Sequence, residues 1–540
     1  MIFLNKYQQL IIPVFFLAYL LIGLSVLPDY GMSWDEAAQR NHGIVAFDYI
    51  NEVLDLGHEK QRPQSNLMRH SARHYGLWFP LMGYGLENLF GLSEDFRGRF
   101  LMRHIMVFLL FWIATIFFFK LLKNRFDDWK TGLLGTTMLI LSPRIFAHSF
   151  FNPKDIVLLS CYLISTYTLI RFFQKKTIKH GVFHAVACAF VVNSRVPGII
   201  IPTFTLGIIL IDFLQNKFSK DLLNKYKFSL PTFIFATLLF TILLNPSLWK
   251  APTEQFTETF QSMSKFDWSS HLLFNGEFIL GTELPWHYVP TWITISTPIV
   301  YLFFFIIGAF FVFKNGVRSL IQLQIWQNKN ELIDVILFSL FLLPILAVII
   351  KGSTLYDGWR QLFFVYPSMI GVTTLGFVRL ANYKKIKAII FLIFAFGLLQ
   401  TGFRMTKEHP FQYLYFNAFA GDDLLERYDR DYWGLSYRQA IEELIKRYPY
   451  SCKSVKMKSY PGEENFRFFG TEIRQHLDLK YGPQTAEFHI SNYRGWKELG
   501  DFKKGRFPYQ NEVFSIDVQG SKVVGVYRDI KYKDITQEEK

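Results

Sequence analysis

The chain has 540 residues and a formal net charge of +14; 51% of its residues are hydrophobic and 18% aromatic, with 58 Phe. The apolar residues gather in runs instead of alternating with polar ones, which excludes an ordinary soluble fold and indicates a polytopic membrane protein. Lys and Arg fall in short clusters between those runs, where membrane orientation explains them without nucleic acid. Cys161, Cys188 and Cys452 form neither a disulfide framework nor a zinc site.

In chain order, Lys6 is followed by an apolar run from Leu10 to Leu27 that lacks a small-residue cleavage site, so it reads as a retained first helix. A span takes about 20 mostly apolar residues. The sequence predicts about 11 of them, at 10–27, 101–122, 131–147, 155–173, 181–195, 197–214, 228–246, 291–313, 331–350, 361–379 and 386–403. With the N-terminus inside, every inside loop is basic: Lys123, Arg125 and Lys130; Arg171, Lys175, Lys176 and Lys179; Lys217, Lys220, Lys225 and Lys227; Lys314, Arg318 and Lys329; Lys384, Lys385 and Lys387. An odd number of spans places Asp35 and the tail outside. The short pair 181–195 and 197–214 is also readable as a re-entrant pair broken at Asn193-Ser194-Arg195-Val196-Pro197.

The first outer segment, 28–98, opens with Gly31-Met32-Ser33-Trp34-Asp35-Glu36. In one reading Ser33 caps a short interfacial helix and the two acids sit favourably in its first turn. In the other, Asp35 deprotonates an acceptor hydroxyl, with Glu36 as support or alternate base, while cations from later loops hold a lipid phosphate leaving group. Gly76 to Leu92 suits a helix lying in the interface. His70 and His74 are four apart, but Arg69 and Arg73 would repel a metal cation and leave an anion site or a solvated face.

The second outer loop, Ser142 to Asp155, carries Arg144 and His148 on one helical face and Lys154 and Asp155 at the start of the next span. Helix capping accounts for Asn152, Pro153 and Asp155. It leaves Arg144, His148 and Lys154 crowded together, and a phosphate would account for them. Arg195 either joins that site or reaches for headgroups. In Tyr356-Asp357-Gly358-Trp359-Arg360, Arg360 either binds a phosphate oxygen or pairs with Asp357 while the aromatics join the interfacial belt. His409 to Asn417 anchors the membrane exit. These assignments give a membrane region over 1–403, a connector over 404–430 and a small mixed α/β extracytoplasmic domain over 431–540. In that domain Leu435 to Tyr448 reads as a helix, Ser454 to Lys458 as a strand, and 513–518 with 522–527 as a hairpin.

Together, the Asp-Glu pair after the first span, the Pro-Arg-x-x-x-His-Ser-x-x-Asn-Pro-Lys-Asp loop, the Tyr-Asp-Gly-Trp-Arg loop, His409-Pro410-Phe411-Gln412-Tyr413 and Asp431-Tyr432-Trp433-Gly434 resemble polyprenyl-phosphate-dependent glycosyltransferases of the GT-C class. This is the clan of protein O-mannosyltransferases and lipid A aminoarabinose transferases. The resemblance implies a GT-C-like α-helical membrane fold and an inverting transfer from a polyprenyl-phosphate sugar to an extracytoplasmic acceptor. It also implies Asp35 as base and Asp155 as a second acidic residue. Arg144, His148, Lys154, Arg195, Tyr356, Asp357 and Arg360 are the expected phosphate and substrate contacts. No cofactor is required; a divalent cation is compatible with the inventory. The expected location is the bacterial inner membrane with a cytoplasmic N-terminus. The competing classes are a transporter or flippase, which would usually show two related halves, and a noncatalytic envelope-assembly protein.

Overall fold

A computed structural model describes residues 7–532 apart from 63, 65, 265–267, 323, 450, 451, 471–473 and 483; Lys6 lies outside the described residues. Among the described residues nine helices are long and apolar enough to cross a membrane: Gln8–Asp29, Phe96–Phe126, Asp155–Lys175, Val196–Gln215, Lys220–Leu243, Ile299–Ile321, Lys329–Lys351, Arg360–Ala381 and Lys387–Lys407. Of the other two predicted spans, 181–195 is the shorter apolar helix Ile178–Val192. The other, 131–147, is divided into Trp129–Ile140 and Pro143–Phe151. Ser142 Oγ bonds back to Met138 O at 2.8 Å, and Pro143 has no N–H with which to continue the ladder. Every residue of Pro143–Phe151 is buried, so this segment runs through the protein interior. The predicted span 291–313 is similarly interrupted at Thr297-Pro298, leaving the short helix Tyr288–Ser296 before Ile299–Ile321.

The helices Ile299–Ile321 and Tyr366–Ala381 pack closely because each presents a glycine to the other's backbone. A Cβ added at Gly308 would run into Val372 O, and one at Gly376 into Phe304 O. Gly376→Val is therefore expected to cost about 3 kcal/mol or more, since overpacking against backbone has no cheap relaxation. Size-exclusion chromatography of the detergent-solubilised protein checks this as loss of the monodisperse peak.

Arg125 makes a buried bidentate pair with Asp334, at 2.5 and 2.6 Å. Asn124 nearby donates to Gln174 at 3.4 Å. Asp155 begins the 21-residue helix that ends beside Gln174, which places it about 30 Å away at the opposite end of the bundle.

At that opposite end sits the tail. Its helix Ser436–Arg447 packs on a five-stranded sheet of order β4-β3-β5-β7-β6, with β3 Lys453–Met457, β4 Leu477–Leu479, β5 Phe488–Ser491, β6 Glu512–Val518 and β7 Ser521–Arg528. β3 runs parallel to β4 and β5, whereas β7 is antiparallel to β5 and β6. The hairpin turns at Gln519-Gly520, both at positive φ, the geometry a two-residue hairpin favours. A further hairpin, β1 His271–Phe274 with β2 Glu277–Leu280, lies before Tyr288 and touches the tail through a bridge from Phe274 to Tyr428. The main apolar core is continuous from the membrane helices into Tyr413, Tyr428, Trp433, Leu435 and Val523, and a second core fills the sheet.

Candidate active site

Asp35 is the N-cap of the 19-residue helix Glu36–Leu54, yet its side chain makes no capping hydrogen bond. The predicted cap residue, Ser33, is used elsewhere: its hydroxyl donates to Phe151 O at 2.9 Å. Asp35 is thus placed by a helix start without being consumed by it. Its carboxylate is 15% exposed and lies 3.5 Å from Lys154 Nζ and 3.4 Å from Arg360 Nη1.

Asp155, the first residue of its helix, is fully engaged. It accepts from Arg195, from Arg360 Nη1 at 3.0 Å and from Asn152 Nδ2 at 3.0 Å. Arg360 also reaches Asp357 at 3.3 Å, and Asp357 accepts from Arg494 of the tail at 3.1 Å. In this network four cations, Lys154, Arg195, Arg360 and Arg494, face three carboxylates, Asp35, Asp155 and Asp357, leaving one positive charge. A phosphate anion is attracted to such a surplus. Aromatic faces hold the cations: the Arg360 guanidinium lies 4.7 Å over Trp433 and 5.0 Å over Tyr356, and Lys154 Nζ lies 4.9 Å over Tyr75. Tyr356 is in turn stacked on Trp268 at 4.7 Å.

Burial disfavours the ionised Asp35 carboxylate, but Lys154 and Arg360 outweigh it and hold its carboxyl below the usual aspartate range. It is therefore a carboxylate at neutral pH. His42, stacked 5.2 Å from Tyr75 on the same side, is pushed down to about 4 by burial and then by Lys154 and His70. It is neutral at pH 7 and adds no charge. Two small cavities meet beside this cluster at Tyr75, Gly76 and Arg195; Lys154 lines one of them and Arg73, His74 and Asn245 the other.

Six of the expected site residues, Asp35, Lys154, Asp155, Arg195, Asp357 and Arg360, are linked in this one ion network, with Tyr356 against Arg360. Three others are placed differently. Glu36 is turned inward: its Oε2 accepts from Ser33 N at 2.6 Å, and its Oε1 lies 2.8 Å from His104 Nε2, out of line for a hydrogen bond. It closes the first helical turn and does not face Lys154. Arg144 donates to Tyr415 O at 2.9 Å and lies 4.6 Å over the Phe416 ring, tying the membrane exit to Pro143–Phe151 outside the ion pairs of the network. His148 makes no ion pair with the network among the described residues; it borders it through Asn152, whose Nδ2 is 3.0 Å from His148 Nδ1, and through edge-on packing on Phe363 at 4.9 Å and on Trp433 at 5.8 Å.

Asn152 and Arg494 carry more of the site than the sequence indicates. Asn152 looks like a cap and is one, its Oδ1 accepting from Asp155 N at 2.9 Å, but the same amide orients the Asp155 carboxylate. Arg494 lies 137 residues from Asp357 on a tail loop with no local pattern to mark it.

Residues 96–245 match the family model described as dolichyl-phosphate-mannose-protein mannosyltransferase. Lys154, Asp155 and Arg195 lie inside that segment, and Asp35, Asp357 and Arg360 outside it. Comparison with curated proteins gives no match. Among solved structures the chain is similar to ArnT from Cupriavidus metallidurans in the apo state, at 11% identity over 95% of this chain and 97% of that one, with a TM-score of 0.47. ArnT from the same organism bound to undecaprenyl phosphate is matched over the same shares at 11% identity, with a TM-score of 0.46. The archaeal oligosaccharyltransferase AglB from Archaeoglobus fulgidus, in complex with an inhibitory peptide and a dolichol-phosphate, is matched at 10% identity over 98% of this chain and 75% of that one, with a TM-score of 0.44.

Proposed function

We propose, from the family match over 96–245 and the ion network around Asp35, that this integral membrane protein is an inverting glycosyltransferase. It moves a sugar from polyprenyl phosphate to an acceptor hydroxyl. The observation that carries the reading is a single partly exposed carboxylate, free of any capping bond, beside cations with a net positive surplus.

The acceptor oxygen attacks the anomeric carbon from the face opposite the phosphate while its proton passes to Asp35. The anomeric C–O bond breaks and polyprenyl phosphate departs as a stable anion, so no general acid is needed to protonate it. Lys154, Arg195 and Arg360 stabilise the charge that develops on the leaving phosphate. Arg360 Nε, buried and without a hydrogen-bond partner among the described residues, is a donor available to a phosphate oxygen. Asp155 is no nucleophile in this scheme, because its oxygens are occupied by Arg195, Arg360 and Asn152; it holds the cations in place. One base with several cations is the inventory of inversion, whereas retention requires a second carboxylate positioned to attack. The donor phosphate enters where the two cavities meet at Arg195, and the cations supply the positive charge without a required divalent ion. The site faces the extracytoplasmic side of a bacterial inner membrane, with the N-terminus and the basic loops cytoplasmic.

The test is donor turnover in detergent. Purified protein given radiolabelled polyprenyl-phosphate sugars together with a delipidated envelope extract that supplies acceptor hydroxyls is expected to move label onto the extract and release polyprenyl phosphate, and to do so after EDTA treatment. A transporter has no second compartment in detergent and would leave the donor intact, so an unconsumed donor pool would overturn the transferase reading. Turnover abolished by EDTA would overturn the metal-independent scheme.

A further inference from the structure

The chain that delivers Asp35 is held from outside the membrane region. Arg438 donates to Pro28 O and, at 2.9 Å, to Tyr30 O, and Gln439 Nε2 donates to Asp29 O at 3.1 Å. Asn465 pairs with Met32 as a neighbouring strand would: it accepts from Met32 N and donates to Met32 O, both at 2.9 Å. Trp34 N then donates to Trp433 O at 3.2 Å. The Arg494 guanidinium lies 4.3 Å over the Trp34 ring while bonded to Asp357. Asn465 is buried, and a Cβ added at Gly31 would run into its Oδ1, so there is no slack between the two.

The contacts of Asp35 itself are looser. At 3.4 and 3.5 Å, its cations are beyond ordinary hydrogen-bond length and do not lock the carboxylate. The backbone must set its position, and from Pro28 to Trp34 that backbone is bonded largely to the tail.

We infer that the C-terminal sheet unit positions the base: Asn465, assisted by Arg494, fixes the Met32–Trp34 segment and thereby the distance from Asp35 to Lys154 and Arg360. Asn465 and Arg494 are positioning residues, and the tail completes the active site. This inference rests on Asp35 being the base. It also explains why the site holds at Asp357, which bridges Arg360 of the membrane region to Arg494 of the tail.

The experiment uses the full-length protein in detergent and compares wild type with Asn465→Ala, Gly31→Ala and Arg494→Ala. Carbodiimide labelling of Asp35, read by mass spectrometry against pH, reports how strongly Lys154, Arg195 and Arg360 favour its ionised form against Asp155. Backbone hydrogen exchange over residues 31–35 and the split of kcat from donor KM are measured on the same samples. In Asn465→Ala and Gly31→Ala, which disturb one contact from its two sides, Asp35 is expected to label at higher pH and the 31–35 amides to exchange faster. In both, kcat is expected to fall about 100-fold, as misplacement by about 1 Å predicts, with donor KM nearly unchanged. Arg494→Ala is expected to shift both readouts in the same direction, and Arg494→Lys, which keeps the charge toward Asp357, to recover part of the labelling shift. Should an Asn465 or Gly31 variant fail to give a monodisperse sample, Arg494→Ala decides by the same readouts. Wild-type labelling and kcat in the folded variants overturn the positioning role. Full donor turnover by Asp35→Asn overturns the base assignment instead, whatever the labelling shows.

Discussion

Asp35→Asn is expected to lower sugar transfer by a factor of about 10²–10⁴, the usual contribution of a general base, while leaving the protein folded in the membrane. The amide has nearly the shape of the carboxylate, and the native side chain makes no capping bond that the substitution could break. The substitution leaves Lys154 and Arg360, the proposed phosphate contacts, in place, so donor KM should change far less than kcat. The measurement is release of polyprenyl phosphate from radiolabelled donor, alongside size-exclusion chromatography of the same preparation. Turnover at the wild-type rate would remove Asp35 from the chemistry and leave the ion network as a structural feature of the bundle.

The charges at the span ends were legible because each is costly near hydrocarbon unless something uses it. Asp35, Lys154, Asp155, Arg195, Asp357 and Arg360 could all be picked from sequence on that ground, and the fold brings them to one end of the bundle. Which side of a helix a charge occupies was not legible. Successive helical residues point about 100° apart, so Asp35 faces Lys154 while its neighbour Glu36 turns in toward His104. Arg144 and His148 illustrate the same limit: on the helix Pro143–Phe151, which starts after the break at Ser142-Pro143, Arg144 is turned toward Tyr415 and makes no ion pair with the network around Asp155. An interrupted span looks continuous in sequence because a Pro or a back-bonding Ser breaks the helix ladder without making the run less apolar. In the tail, the Ser436–Arg447 helix and the β6–β7 hairpin were visible from local periodicity, whereas the pairing of Asn465 with Met32, 433 residues away, has no local signal at all.

Arg360→Lys is expected to be far from conservative, reducing kcat by about 10²–10³, the cost of losing a donor aimed at developing charge. One guanidinium nitrogen, Nη1, lies 3.0 Å from Asp155 and 3.4 Å from Asp35, while Nη2 reaches Asp357 at 3.3 Å. The planar group is also held against Trp433 and Tyr356. A lysine ammonium is a point charge on a flexible stem and cannot reproduce that fork. The pH profile separates charge from geometry. In the wild type, Asp35 is held below its ordinary value of about 3.9, so its carboxylate stays ionised and turnover is expected to persist as pH falls until it passes through that lowered pKa. Removing the Arg360 charge leaves Lys154 and Arg195 alone against burial and Asp155, so the Asp35 carboxyl moves upward and activity is expected to be lost at a higher pH. Arg360→Gln should therefore move the acid limb upward more than Arg360→Lys, which keeps the charge, although the two lose similar amounts of kcat. A lysine variant with wild-type turnover would show that point charges alone hold the phosphate, and would shift its binding to Lys154 and Arg195.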